Sequence, residues 1–266
     1  MSKLIKNKKV KNLLKTNKKL SVLFVFLAVI LFFLLVVNIS DIFSSVITNK
    51  NSLFFTQKIG LPSYSVYALS VNDFKTYEEA QNFSLSVQQK GGAGVVYESG
   101  ENFVFVSAYP TLIEAKEIQE NLINLGFNAR IVNIKIDGIS KEYKGSNCED
   151  IIAILNYFRS SFSKLYETTI LYDKKEISLT QVNSVLADLL TKLSTIQNKL
   201  NKFKQNEDLT LKQIISVPLE KTKSSLEDAL YYAKNDLIFT SKLKQIYISF
   251  ALSNKEVIKK INSIDF

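Results

Sequence analysis

Apolar positions along this chain follow three different rules. From Leu20 to Val37 they are unbroken: eighteen residues, of which only Ser21 is polar. From residue 63 to 136, short β-rich runs alternate with stretches of helical spacing. Ser63 to Val71 alternates and follows Pro62, which predicts a first strand. Ala80, Phe83 and Val87 stand at i, i+3, i+7, which predicts a helix capped by Thr76 or Asp73 and ended by Gly91-Gly92. Val95-Val96-Tyr97 predicts a second strand, Ser99 to Asn102 a hairpin turn, and Phe103 to Ser107 a third strand. Pro110 and Thr111 open a second helix with Ala115, Ile118 and Leu122 on one face. Gly126 closes it, and Phe127 to Ile136 reads as a fourth strand.

These elements repeat. Residues 66–98 and 101–133 are two copies of one unit, offset by 35 residues. Phe74 aligns with Tyr109, Ala80 with Ala115, and Gly91 with Gly126. Two strand–helix–strand copies predict a ferredoxin-like βαββαβ sheet with both helices on one face. Alternation along the strands then turns Val104 and Val106, with Tyr67, Leu69 and Val71, toward those helices. Phe103, Phe105 and Ser107, with Ala68 and Ser70, turn toward the other face. Two phenylalanines on an open sheet form an apolar platform suited to stacking on a ring. The same pattern also suits a face covered by the C-terminal segment or by a second copy, and the residues leave both arrangements open.

Beyond residue 145 there is no glycine, and the only proline is Pro218. Ile151, Ile154, Leu155, Phe158, Phe162, Leu165 and Tyr166 keep helical spacing. Ser178 caps a second helix running through Leu186, Leu193 and Phe203. A third is expected to start at Ser216-Val-Pro218 and to run as far as Phe250, with Ser253 capping a short last one. This predicts a three- or four-helix bundle, or a dimeric coiled coil built on residues 179–203. The overall class is therefore α+β.

Eight lysines and no acid precede the apolar run. A helix of that length spans roughly 27 Å, close to the hydrocarbon thickness of a bilayer, about 30 Å. No small-residue cleavage site follows. The pattern predicts an uncleaved signal anchor with a cytoplasmic N-terminus, a single span, and the remainder outside the cell membrane, the lysines adding attraction to anionic lipid. The expected divisions are a basic tail (1–19), a span (20–40), a juxtamembrane linker (41–61), the βαββαβ domain (62–137), a polar linker (138–147) and the helical bundle (148–266). Ile42, Phe43, Val46, Ile47, Leu53, Phe54 and Phe55 make residues 42–61 too apolar for a free linker.

Composition narrows the chemistry. Without the eight tail lysines the net charge of +9 falls to +1, so the exported part offers no basic stripe for nucleic acid. There is no histidine, and Cys148 is the only cysteine, expected to be buried at a helix start. No P-loop, zinc-protease or nucleophile-elbow pattern occurs. The paired carboxylates Glu78-Glu79 and Glu149-Asp150 read as solvated first turns of helices. A non-catalytic protein with no cofactor or metal is expected.

Residues 63–137 resemble the SPOR domain, the sporulation-related repeat of bacterial envelope proteins. The first signature reads Leu69-Ser70-Val71-Asn72-Asp73-Phe74 with Ala80. The second reads Asn102-Phe103-Val104-Phe105-Val106-Ser107-Ala108-Tyr109 with Ala115. Both aromatics, both alanines and both helix-ending glycines fit the family pattern. Its Gln, Arg and two glycines are replaced by Ser70, Phe103, Asn72 and Ser107. The resemblance implies binding of septal peptidoglycan glycan strands across the free sheet face, here through Ser70, Phe103, Phe105 and Ser107. It also implies scaffolding of division or sporulation proteins, with the C-terminal bundle as their contact. The opposing class is a protein–protein adaptor whose sheet has lost glycan binding. The same topology occurs in RNA-recognition domains, where strand aromatics stack bases, but export and a near-neutral exported part count against that role.

Overall fold

Both copies of the 35-residue repeat fold alike, down to their helix ends. The structure, a computed structural model, describes residues 57–143, 147–203, 206–233 and 236–264. The basic tail, the apolar run and residues 41–56 lie outside the described residues. Among the described residues, no helix is long and apolar enough to cross a membrane.

Copy one is β2 (Tyr64–Phe74), α1 (Tyr77–Gln89) and β3 (Val95–Glu98); copy two is β4 (Asn102–Tyr109), α2 (Leu112–Asn124) and β5 (Ala129–Ile136). Thr76 and Thr111, 35 residues apart, are the N-caps. Their hydroxyls accept from the N–H of Glu79 and of Glu114 respectively, and Glu79 completes a capping box. At the other ends Gly91 and Gly126 take φ of 80° and 86°, where a side chain is strained. The N–H of Gly92 bonds the Val87 carbonyl and that of Phe127 the Leu122 carbonyl, so each helix closes with the same six-residue loop.

The four strands are antiparallel in the order β3-β4-β2-β5. The connections β2–α1–β3 and β4–α2–β5 each join parallel strands across one intervening strand. Right-handed crossovers running in opposite directions lay both helices on one face. Ala80 and Ala115 are fully buried where the helices meet the sheet.

The two expected linkers are corrected. Residues 57–61, expected in the juxtamembrane linker, form β1 (Gln57–Leu61), and residues 139–143 form β6 (Ile139–Tyr143). The two pair antiparallel, Gln57 opposite Tyr143 and Leu61 opposite Ile139. Their alternation buries Ile59, Ile139 and Tyr143. That period-two pattern is only five residues long and sits between Gly138 and Gly145, so it passed for a polar connection.

Four helices follow: α3 (Cys148–Asp173), α4 (Leu179–Asn201), α5 (Asn206–Tyr231) and α6 (Asp236–Asn262). Each packs on two of the others, in the closed order α3-α4-α5-α6. Ser178 caps α4 with a capping box to Gln181. Cys148 is buried at the start of α3, and burial with the neighbouring Glu149 raises its thiol pKa. Pro218 does not start α5 but lies inside it. A proline in a helix interior costs about 3 kcal/mol. Leu211, Ile215, Leu219 and Leu226 form a fully buried stripe that outweighs this. Ser253 likewise starts no helix; it is buried within α6.

Nor do sheet and helices form separate cores. A single cluster of buried side chains runs from Ile59 through the sheet and all four helices to Ile261. Residues Thr56–Phe266 make one compact unit, because α6 packs on β4, β5 and α1 as well as on α3 and α5.

Candidate functional site

The sheet face turned away from α1 and α2 carries a row of rings. Tyr97 stacks on Phe105 with centroids 5.2 Å apart, and Phe103 lies 6.4 Å from Phe105. At the end of the row the Arg130 guanidinium sits 5.6 Å over the Phe103 ring. Arg130 is held at 2.9 Å by Asp73 and at 3.1 Å by Glu101, and these hydrogen bonds raise its pKa. The strand that bears the rings is bulged: the β2–β4 register shifts between Leu69 and Ser70, and again between Ser70 and Asp73.

This face is not free. Phe105 is 0% exposed, Phe103 6% and Ser70 1%. Ser107, expected beside them, is 8% exposed but stands opposite Leu69, whereas Phe105 stands opposite Ser70, so the bulge between them breaks the alternation that grouped the two. The expectation of an open platform at these four residues is therefore corrected, and the covered alternative holds. The cover is α6, bonded to the sheet and to the loops at its ends. Lys244 donates to the Gly91 carbonyl at 3.1 Å, Asn254 to the Tyr64 hydroxyl at 2.7 Å, and Lys255 to the Tyr97 hydroxyl at 2.9 Å. Asn262 donates to the Gly138 carbonyl at 3.1 Å. The central contact is between the hydroxyls of Ser107 and Tyr247, 2.7 Å apart. Ser70 donates to the Val104 carbonyl at 3.3 Å and so spends its hydroxyl inside the sheet. Buried polar groups need such partners, since an unmade bond costs about 1–3 kcal/mol. Phe103 and Phe105 therefore present no exposed face for a sugar ring to stack on.

Tyr247, Asn254 and Lys255 were not singled out from the sequence. A signal was present: Ile246-Tyr-Ile-Ser-Phe-Ala-Leu252 is apolar on nearly every side, and a helix of that kind is buried all round. Around Tyr247 lies an aromatic cluster. Phe162 and Tyr166 pack edge-on against it at 5.8 Å and 5.9 Å, and Tyr109 packs on Tyr166 at 6.0 Å. Tyr166 donates to Glu114 of α2 at 3.2 Å.

Burial raises the pKa of Tyr157, Tyr166 and Tyr247 above the ordinary tyrosine value, about 10. The folded chain keeps protons that the unfolded chain loses. Stability from these groups is thus complete below about pH 10 and lost as pH rises through it. Thermal melts should hold steady from neutral pH to about pH 9, then fall steeply above about pH 10. The alkaline slope should be shallower in Tyr247→Phe. An unchanged slope would mean that this phenol carries none of the effect.

A concavity of about 1020 Å³ lies between α3 and α4. Three of its six charged lining residues are in ion pairs, Lys192 with Asp188 and Lys199 with Asp150, each at 2.7 Å. Tyr157 is buried in its wall and donates to the Leu189 carbonyl at 3.0 Å, so no ring is presented there either. Among the described residues, no group of three or more His, Cys, Asp or Glu side chains is placed to hold a metal ion. No protein-family model, no curated protein and no solved structure matches this chain.

Proposed function

We propose that this chain is a membrane-anchored, non-catalytic scaffold of the bacterial envelope. On this reading its SPOR-like sheet has exchanged glycan binding for a helix of its own. Anchoring rests on the lysine-rich tail and the eighteen-residue apolar run. The SPOR-like assignment rests on the repeat signatures together with the β3-β4-β2-β5 order. The observation that carries the functional reading is the hydrogen bond between Ser107 and Tyr247, beside a fully buried Phe105. Two of the four residues expected to meet glycan are thereby committed to the protein's own core. Phe103, in the position of the family Arg, is the third. The surfaces left to act are outer ones, which suits contacts with other envelope proteins in division or sporulation.

Detergent-solubilised full-length chain should be incubated with purified cell-wall sacculi, before and after an amidase strips the stem peptides. Retention is expected to be the same on both, at the level of a non-binding control. Retention that rises with amidase treatment would overturn the proposal and restore glycan recognition.

A further inference from the structure

The four-stranded sheet ends on β5, and among the described residues no strand pairs with the outer edge of β5. The N–H of Asn72 donates to the Asn128 carbonyl at 2.9 Å, and Tyr64 to Val71 continue that pairing against Ile136 to Ala129. Alternation along an antiparallel ladder turns the main-chain groups of residues 130, 132, 134 and 136 toward β2. Those of Ala129, Ile131, Asn133 and Lys135 point outward. Gln119 of α2 donates to the first of these, the Ala129 carbonyl, at 2.9 Å. Among the described residues, no hydrogen bond engages the outward groups of Ile131, Asn133 or Lys135.

Edges of this kind are commonly guarded by charged side chains, among other devices. Here each of the two charges on β5 has an acidic partner within the chain. Arg130 is paired with Asp73 and Glu101, and Lys135 lies 3.6 Å from Asp137. Positions 112, 119 and 123 share one side of α2, the side from which Gln119 reaches β5. Leu112 and Ile123 on that side are exposed, and Ile131 is half-buried. An apolar strip therefore borders the open main chain.

We propose that β5 pairs with itself: a second copy of this chain adds its own β5 antiparallel, about a two-fold axis at Asn133. The two sheets, four strands each, become one. In this register Asn133 faces Asn133, Ile131 faces Lys135, Val132 faces Ile134, and Arg130 faces Ile136. No like charges are opposed. The two Lys135 residues stand four positions apart, about 14 Å along the strands, beyond the screening length of about 8 Å at physiological salt. The facing asparagine amides can each donate to the other, and the contact is isologous, so it closes at two copies.

The test uses the full-length chain in its membrane. Cys148 is the only cysteine, so Cys148→Ser gives a silent background. Directly opposed residues of a hydrogen-bonded antiparallel pair have Cα atoms about 5.5 Å apart, within disulfide range. Asn133→Cys in that background is expected to form a disulfide-linked dimer on mild oxidation, while Gln81→Cys on the exposed side of α1 stays monomeric. Asn133→Pro removes an outward N–H that the sheet does not use. It should shift the detergent-solubilised protein from dimer to monomer in sedimentation, with its melting curve retained. Should that variant fail to fold, Asn133→Lys places like charges opposite each other and should separate the copies instead. Equal cross-linking at 133 and 81, a monomeric parent, or a dimer that survives Asn133→Lys would each overturn the proposal.

Discussion

Phe105→Ala is expected to destabilise the unit by about 3–5 kcal/mol, the cost of removing a fully buried ring and leaving a cavity. Phe105 is completely inaccessible and stacks on Tyr97, which Lys255 of α6 ties down. An exposed stacking residue would behave oppositely, losing ligand affinity with little change in stability. Adding Phe103→Ala should leave too little margin for a folded state, since whole domains are stable by only about 5–15 kcal/mol. Denaturant melts of the single variant decide the matter. A shift under about 1 kcal/mol, far below the range for a buried ring, would mean that α6 does not cover the rings.

Dividing the chain at residues 144–146 should leave neither half with a cooperative melt. Five side chains on the α6 side of the sheet, Val66, Phe103, Phe105, Ile134 and Ile136, are buried in the intact unit. Returning them to water costs roughly 8–15 kcal/mol at about 1.5–3 kcal/mol each, as much as a domain's entire stability. Co-expressing the halves should restore the transition, because the interface between them is a core rather than a docking surface. Circular dichroism on residues 57–143 alone settles this: a sharp melt from the isolated sheet would show that it needs no helix over its face.

What could be read in advance was what depends on near neighbours. The two copies, Thr76 as one of two candidate caps, the second helix opening at Pro110-Thr111, the glycine endings and the cap at Ser178 all follow from spacings of a few residues. So does the side of the sheet taken by Phe103 and Phe105, opposite the two repeat helices. What covers that side was not legible, because Ser107 and Tyr247 are 140 residues apart and periodicity carries no information across such a distance. Pro218 shows a local rule overridden: a helix start by composition became a helix interior because packing on both sides outweighed the lost N–H. The β1–β6 pair shows the opposite failure, a true alternation too short to stand out.

That same pair has a mechanical consequence. The chain enters β1 at Gln57 and leaves β6 at Tyr143, and these two residues face each other at one end of the ladder. Tension applied ahead of Gln57 and resisted by α3 therefore runs across the ladder, and the covalent path through residues 62–138 hangs slack. The rungs lie in unzipping geometry and yield one after another from Gln57–Tyr143 toward Leu61–Ile139. Under load the β1–β6 ladder, together with the packing of β1 on α3, gives way before the repeat sheet is stretched.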